Sequence, residues 1–138
     1  MPKTLTCFIT ILLLLLSPYA QANTEAAEAA VLAWLEAIDS GEFELAWEES
    51  SPLLKRPLSP SMLERTISAA RRDFGSVESR RRTRVISETS MPGAPKDDYK
   101  EFTYQTRFAN KPSITEIITP HLEEGVWKVS GYYVNGAY

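Results

Sequence analysis

One cysteine and one histidine in 138 residues restrict the chemistry this chain can perform. Cys7 has no second cysteine to pair with, so neither a disulfide framework nor a thiolate metal site can be built. His121 has no companion at metal-ligand or triad spacing, and near a hairpin it reads as a surface residue. The six glycines are scattered and form neither a phosphate loop nor a dinucleotide fingerprint. No catalytic residue, cofactor or metal is therefore assigned from motifs.

Long apolar runs are also scarce. Phe8 to Leu16 is apolar apart from Thr10, with Lys3 ahead of it and Ala20-Gln21-Ala22 behind it. A positive start, a short apolar stretch and a small-x-small site form the three-part pattern of a secretory signal peptide. A membrane-spanning helix needs about 20 apolar residues, and Ser17, Pro18 and Gln21 end this run early. The expectation is cleavage after Ala22, no membrane anchor afterwards, and a periplasmic or secreted single domain over residues 23–138, as monomer or homodimer.

Basic residues are absent from 23–50, which carry eight acids, whereas 51–84 carry nine bases against three acids. Four of those bases, Arg80, Arg81, Arg82 and Arg84, crowd into five positions of "ESRRRTRVISE" in a chain of net charge -3. An acidic segment and a basic one in one compact domain can neutralise each other, which removes the need for a nucleic acid. No aromatic residue interleaves with the arginines to stack on bases. In a regular strand Arg81 points to one face, and Arg80, Arg82 and Arg84 point to the other.

Helical periodicity comes first along the chain. Asn23 or Thr24 can cap a helix whose face is Ala27, Ala30, Val31, Trp34, Leu35 and Ile38, ending at Gly41. Phe43, Ala46 and Trp47 suggest a short second helix, 52–58 reads as a loop, and Ser59-Pro60 opens a third helix that runs to Gly75. Beyond Gly75 the period becomes two, predicting strands over 77–89, 99–109, 114–123 and 126–134, joined antiparallel by short connections. The fold class expected is α+β, with two to three N-terminal helices packed on one face of a curved four-stranded antiparallel sheet.

Pairing the last three strands through their turns gives one apolar face. It holds Phe102, Tyr104, Phe108, Ile114, Ile118, Leu122, Trp127, Val129 and Tyr133, with Glu116 in its middle. In that register Glu116 lies opposite Thr106 and Tyr133, and Tyr104 lies opposite Ile118. A carboxylate on an apolar face must be paired, protonated or set in a wet cavity. Arg80 or Arg81 is the expected partner. Glu116, Arg80, Arg81, Tyr104, Tyr133 and Trp47 are the candidate pocket residues, although the tryptophans also suit the core. Pro120 lacks an N–H, which predicts a bulge or an unpaired edge position.

"AWLEAIDSGEFELAWEESS", "RRDFGSVESRR", "MPGAPKDDY", "TRFANK" and "TEIITPHLEEGVWKVSGYYV" occur in this order over nearly all of residues 23–138. The ordered set resembles a bacterial exported family called domain of unknown function 4019. The resemblance implies a small relative of the α+β cone folds typified by nuclear transport factor 2, in an exported setting, and it implies no reaction. The expected function is a non-catalytic module that binds a small ligand or an unidentified periplasmic protein. The alternatives are a cofactor-free isomerase or dehydratase using Glu116 as general base, and an inhibitor of an extracytoplasmic hydrolase.

Overall fold

The computed structural model describes residues 18–136. Cys7 and the apolar run of the expected signal peptide lie outside the described residues. Four helices, α1 (Pro18–Asp39), α2 (Phe43–Glu48), α3 (Pro52–Lys55) and α4 (Pro60–Ala70), precede four strands, β1 (Val77–Glu88), β2 (Tyr99–Phe108), β3 (Lys111–Glu123) and β4 (Val126–Gly136). The strands form one antiparallel sheet in the order β1-β2-β3-β4, so β1 and β4 are its edges. Among the described residues no helix is long and apolar enough to cross a membrane.

Helix boundaries depart from the sequence reading for local reasons. α1 begins at Pro18, ahead of the caps expected at Asn23 or Thr24, because Tyr19 to Ala22 offer nothing that stops a helix. The segment read as a loop contains one turn of helix, started by Ser51-Pro52, where the Ser51 hydroxyl accepts from the Leu53 N–H. Ser59 caps α4 in the same way, accepting from the Met62 N–H at 3.2 Å, and such a cap stabilises by about 1 kcal/mol. α4 stops at Ala70, not at Gly75, since the chain turns there to bring Phe74 into a small second core with Phe108 and Ile114. Gly75 holds φ at +76°, and a Cβ there would lie 3.0 Å from Ala109 Cβ, so this turn requires glycine.

The main core lies between the helices and one sheet face. Val31, Trp34, Leu35 and Ile38 of α1 meet Phe102, Tyr104, Ile118, Trp127 and Val129 of the sheet. Burying each large aliphatic side chain stabilises by roughly 1.5–3 kcal/mol, which gives α1 far more support than its own helix propensity.

Two pairings differ from the expected register, and β1, for which no register was expected, departs from regular alternation. Phe108 pairs with Lys111 across Ala109-Asn110, a tighter turn than expected, so Tyr104 lies opposite Glu116 and Thr106 opposite Ile114. That shift of two preserves the faces. Between Thr119 and Pro120 the β3–β4 register shifts by one, the bulge that Pro120 predicts, so Tyr133 turns outward and Tyr132 takes the inward position. Tyr133 is 59% exposed. A further shift between Arg82 and Arg84 keeps Arg80 and Arg82 opposite Thr106 and Tyr104, and moves Arg84 to the open face beside Arg81.

Candidate functional site

Glu116 is fully buried at the centre of the sheet, and every direction in which its carboxylate can accept is used. Oε1 accepts from Arg80 Nε at 2.8 Å and from the Thr106 hydroxyl. Oε2 accepts from Arg71 Nη2 at 3.0 Å and from the Tyr132 hydroxyl. Asp39, the last residue of α1, closes the cluster from the other side. Its Oδ1 accepts from Arg71 Nη1 at 2.7 Å, and its Oδ2 accepts from Arg80 Nη1 at 2.8 Å. Two carboxylates and two guanidiniums balance in charge, and Tyr132, donating to Glu116, accepts from Arg71 at 2.8 Å.

The electrostatics follow from that geometry. Burial pushes the Glu116 carboxyl up, but the hydrogen bond and charge of Arg80, with Thr106 and Tyr132 behind them, prevail and hold it below the usual carboxylate range. Burial raises the Tyr132 hydroxyl, and the Glu116 charge raises it further. Arg71 and Arg80 lose solvation, yet both are held more firmly protonated than free arginine, Arg71 by Tyr132, Asp39 and Glu116, and Arg80 by Asp39 and Glu116. The Arg71 guanidinium also lies 5.3 Å from the ring centres of Phe108 and Tyr132. This arrangement fixes charge in place and presents no free lone pair or transferable proton.

The other candidate residues are placed apart. Arg81 lies on the open face, opposite Gln105. Tyr104 is buried in the main core, where its hydroxyl makes no hydrogen bond; burial first and the nearby Glu28 charge second hold it protonated. Trp47 is half-buried, donates its indole N–H to the Leu58 carbonyl at 2.7 Å and lies under Lys55. Arg82 reaches back to Glu28 of α1. Arg71, Asp39 and Tyr132 are the cluster members that the sequence reading did not name, whereas Thr106, expected opposite Glu116, does donate to it.

His121 is buried, contrary to the surface position expected. It stacks on Tyr99, its cross-strand partner in β2–β3, with ring centres 4.5 Å apart, and Asp97 of the 89–98 connection lies against the ring's Nε2. Nδ1 lies 2.8 Å from Glu123 Oε1, and Nε2 lies 3.0 Å from Asp97 Oδ2. Carboxylates only accept, so each contact is a hydrogen bond when the ring nitrogen facing it donates. The Ser51 hydroxyl donates to the same Glu123 oxygen, which ties α3 to this end of the sheet. Among the described residues no group of three His, Cys, Asp or Glu side chains could hold a metal ion.

A roomy concave surface lies elsewhere, between α3–α4 and the edge strand β4. It encloses about 440 Å³, and none of its lining side chains is charged. Leu63, Ile67 and Ala70 of α4 form one wall, and Tyr132 to Val134 the other. Tyr132 thus joins the groove to the buried ion cluster.

No curated protein matches this sequence. A family profile does match, over residues 30–132, from the middle of α1 to Tyr132. That span includes Asp39, Arg71, Arg80, Glu116 and Tyr132, so the whole ion cluster lies within it, and the chain belongs to the family described as protein of unknown function, DUF4019.

Proposed function

We propose that the protein is an exported, non-catalytic binding module of the nuclear-transport-factor-2-like cone type, holding a small uncharged apolar ligand in the groove between α4 and β4. The observation that carries the non-catalytic reading is the saturation of Glu116. A general base needs an acceptor direction facing its substrate, and both oxygens of Glu116 already accept two donors from the protein. The enzyme reading would have this residue abstract a proton, and the geometry argues against that.

The groove supports the ligand class. Its 440 Å³ lies within the range of about 300–1,000 Å³ occupied by small-molecule sites. A lining without charge disfavours an ionic ligand and suits an apolar body, with the Ser130 and Thr66 hydroxyls as polar handles. Export is supported by the pattern of residues 1–22.

Uptake of the uncharged dye N-phenyl-1-naphthylamine tests the reading, since its emission rises in an apolar site. The wild type should bind it at micromolar concentration. Ala70→Trp, on an exposed position of the α4 wall, should abolish uptake while the far-ultraviolet spectrum and melting are kept. Absence of uptake by the wild type, or undiminished uptake by a folded Ala70→Trp protein, overturns the proposal.

A further inference from the structure

The arginine run divides across the sheet, and its two halves differ in partnership. On the helix side Arg80 is held by Asp39 and Glu116, Arg82 by Glu28, and Arg71 joins from α4. On the open side Arg81 and Arg84 of β1 point away from the helices, and Arg107 of β2, opposite Ser79, points with them. All three are exposed and form no ion pair among the described residues. Glu101, opposite Ile86 on the same face, and Glu78, at the β1 bulge, are the nearest acids in register, and neither engages them.

The rows of this face run from cation to hydroxyl. Arg81 pairs with Gln105, which pairs with Thr115; Arg84 pairs with Thr103, which pairs with Ile117. The Gln105 side chain is fixed in place, donating to Thr115 at 2.8 Å and accepting from Ser113 at 3.4 Å. Neighbouring strands stand about 4.8 Å apart, and alternate residues of a strand about 7 Å, so the three guanidiniums are anchored within roughly 10–15 Å of one another. A fork of N–H donors matches a carboxylate, sulfate or phosphate oxygen pair. A flat array of hydroxyls and an amide beside it matches the hydroxyls of a sugar ring.

We infer that this open face of β1–β2–β3 binds an anionic glycan, with Arg81, Arg84 and Arg107 taking its acidic groups and Gln105, Thr103 and Thr115 its sugar hydroxyls. The chain carries net charge -3, so its remaining surface repels a polyanion and directs it to this face. Nucleic acid fits less well, because ring stacking supplies much of single-strand affinity and the only aromatic residue of these rows, Tyr133, lies three strands from Arg84. This surface is separate from the apolar groove, and neither reading depends on the other.

Heparin oligosaccharide serves as the probe, with neutral dextran and single-stranded DNA as comparators, on the whole protein by calorimetry at several salt concentrations. Heparin should bind with a log K against log[salt] slope of about -2 to -3, and dextran should not bind. Arg81→Gln, Arg84→Gln and Arg107→Gln should each weaken binding about 5- to 10-fold and reduce the slope by about one. Arg65→Gln and Arg72→Gln, exposed positions of and just after α4, should leave it unchanged. Gln105→Ala should weaken heparin binding and not DNA binding. The inference fails if heparin does not bind, if the α4 substitutions weaken binding as much as the sheet ones, or if DNA binds as tightly as heparin of equal charge.

Discussion

Replacing Glu116 by glutamine removes one charge and turns one acceptor into a donor, at a site where all four neighbours donate. Whichever way the new amide turns, its NH₂ faces an arginine. Toward Oε1 it meets Arg80 Nε, and toward Oε2 it meets Arg71 Nη2, and neither guanidinium can give up its proton. Thr106 can rotate to accept, but Tyr132 already accepts from Arg71. Asp39 is left as the single counter-charge for two arginines. Breaking a buried ion pair from one side costs about 3–5 kcal/mol, a large share of the roughly 5–15 kcal/mol that a domain has in total. The midpoint of thermal unfolding should drop by roughly 10–20 °C. Urea titration followed by tryptophan emission measures this directly, since Trp34 lies 5.4 Å from the Tyr132 ring and senses the cluster. In a double-mutant cycle Glu116→Gln should couple to Arg80→Gln and to Arg71→Gln by about 1–3 kcal/mol each. A loss below about 1 kcal/mol with an unchanged m value would refute the reasoning, because that is the scale of an exposed pair.

The two buried tyrosines should separate cleanly: Tyr132→Phe removes a hydroxyl with three hydrogen bonds, two from Arg71 and one to Glu116, and should cost about 1.5–3 kcal/mol in urea melts, whereas Tyr104→Phe removes an unbonded one and should be neutral or stabilising. Acid should destabilise through Glu116, Glu123 and Asp97, all held below their ordinary values; their contribution is complete above about pH 4.5 and is lost as pH falls through the lowered folded-state values. The Glu116→Gln protein should therefore lose less stability than the wild type between pH 5 and pH 3, and an identical acid limb would contradict this. His121→Ala removes the stack on Tyr99 and the bridge from Asp97 to Glu123, and should cost about 1–3 kcal/mol while amide exchange quickens in 89–98; unchanged exchange there would show that the ring does not hold the connection down.

Much of the fold was legible because it rests on periodicity. The α1 face repeats at 3.6 residues, the strands alternate, and Ser59-Pro60 marks the start of α4, and each signal is local. The α3 turn was not legible, since a single turn has no period to reveal it. Nor was the burial of His121. A lone histidine beside a proline resembles a surface residue until the connection that covers it is placed, and that connection is irregular.

Glu116 could be singled out because a charge on an apolar face contradicts its surroundings, and Arg80 was one of two partners that followed from it. The remaining members were hidden for different reasons. Arg71 is the cap residue after α4, and Asp39 ends α1. A side chain at a helix end belongs to no face that a period could mark. Tyr132 was displaced from view by one residue of register. Pro120 announces the bulge, but a bulge also shifts every residue beyond it, and carrying that shift along β4 exchanges Tyr133 for Tyr132. The bulge beside Thr83 does the same to the arginines, sending Arg84 outward with Arg81 and leaving Arg80 and Arg82 to the acids of α1 and β3. One single-residue irregularity therefore decides which tyrosine reaches the buried carboxylate, and the other decides which arginines are neutralised inside the fold and which stay exposed on its open face.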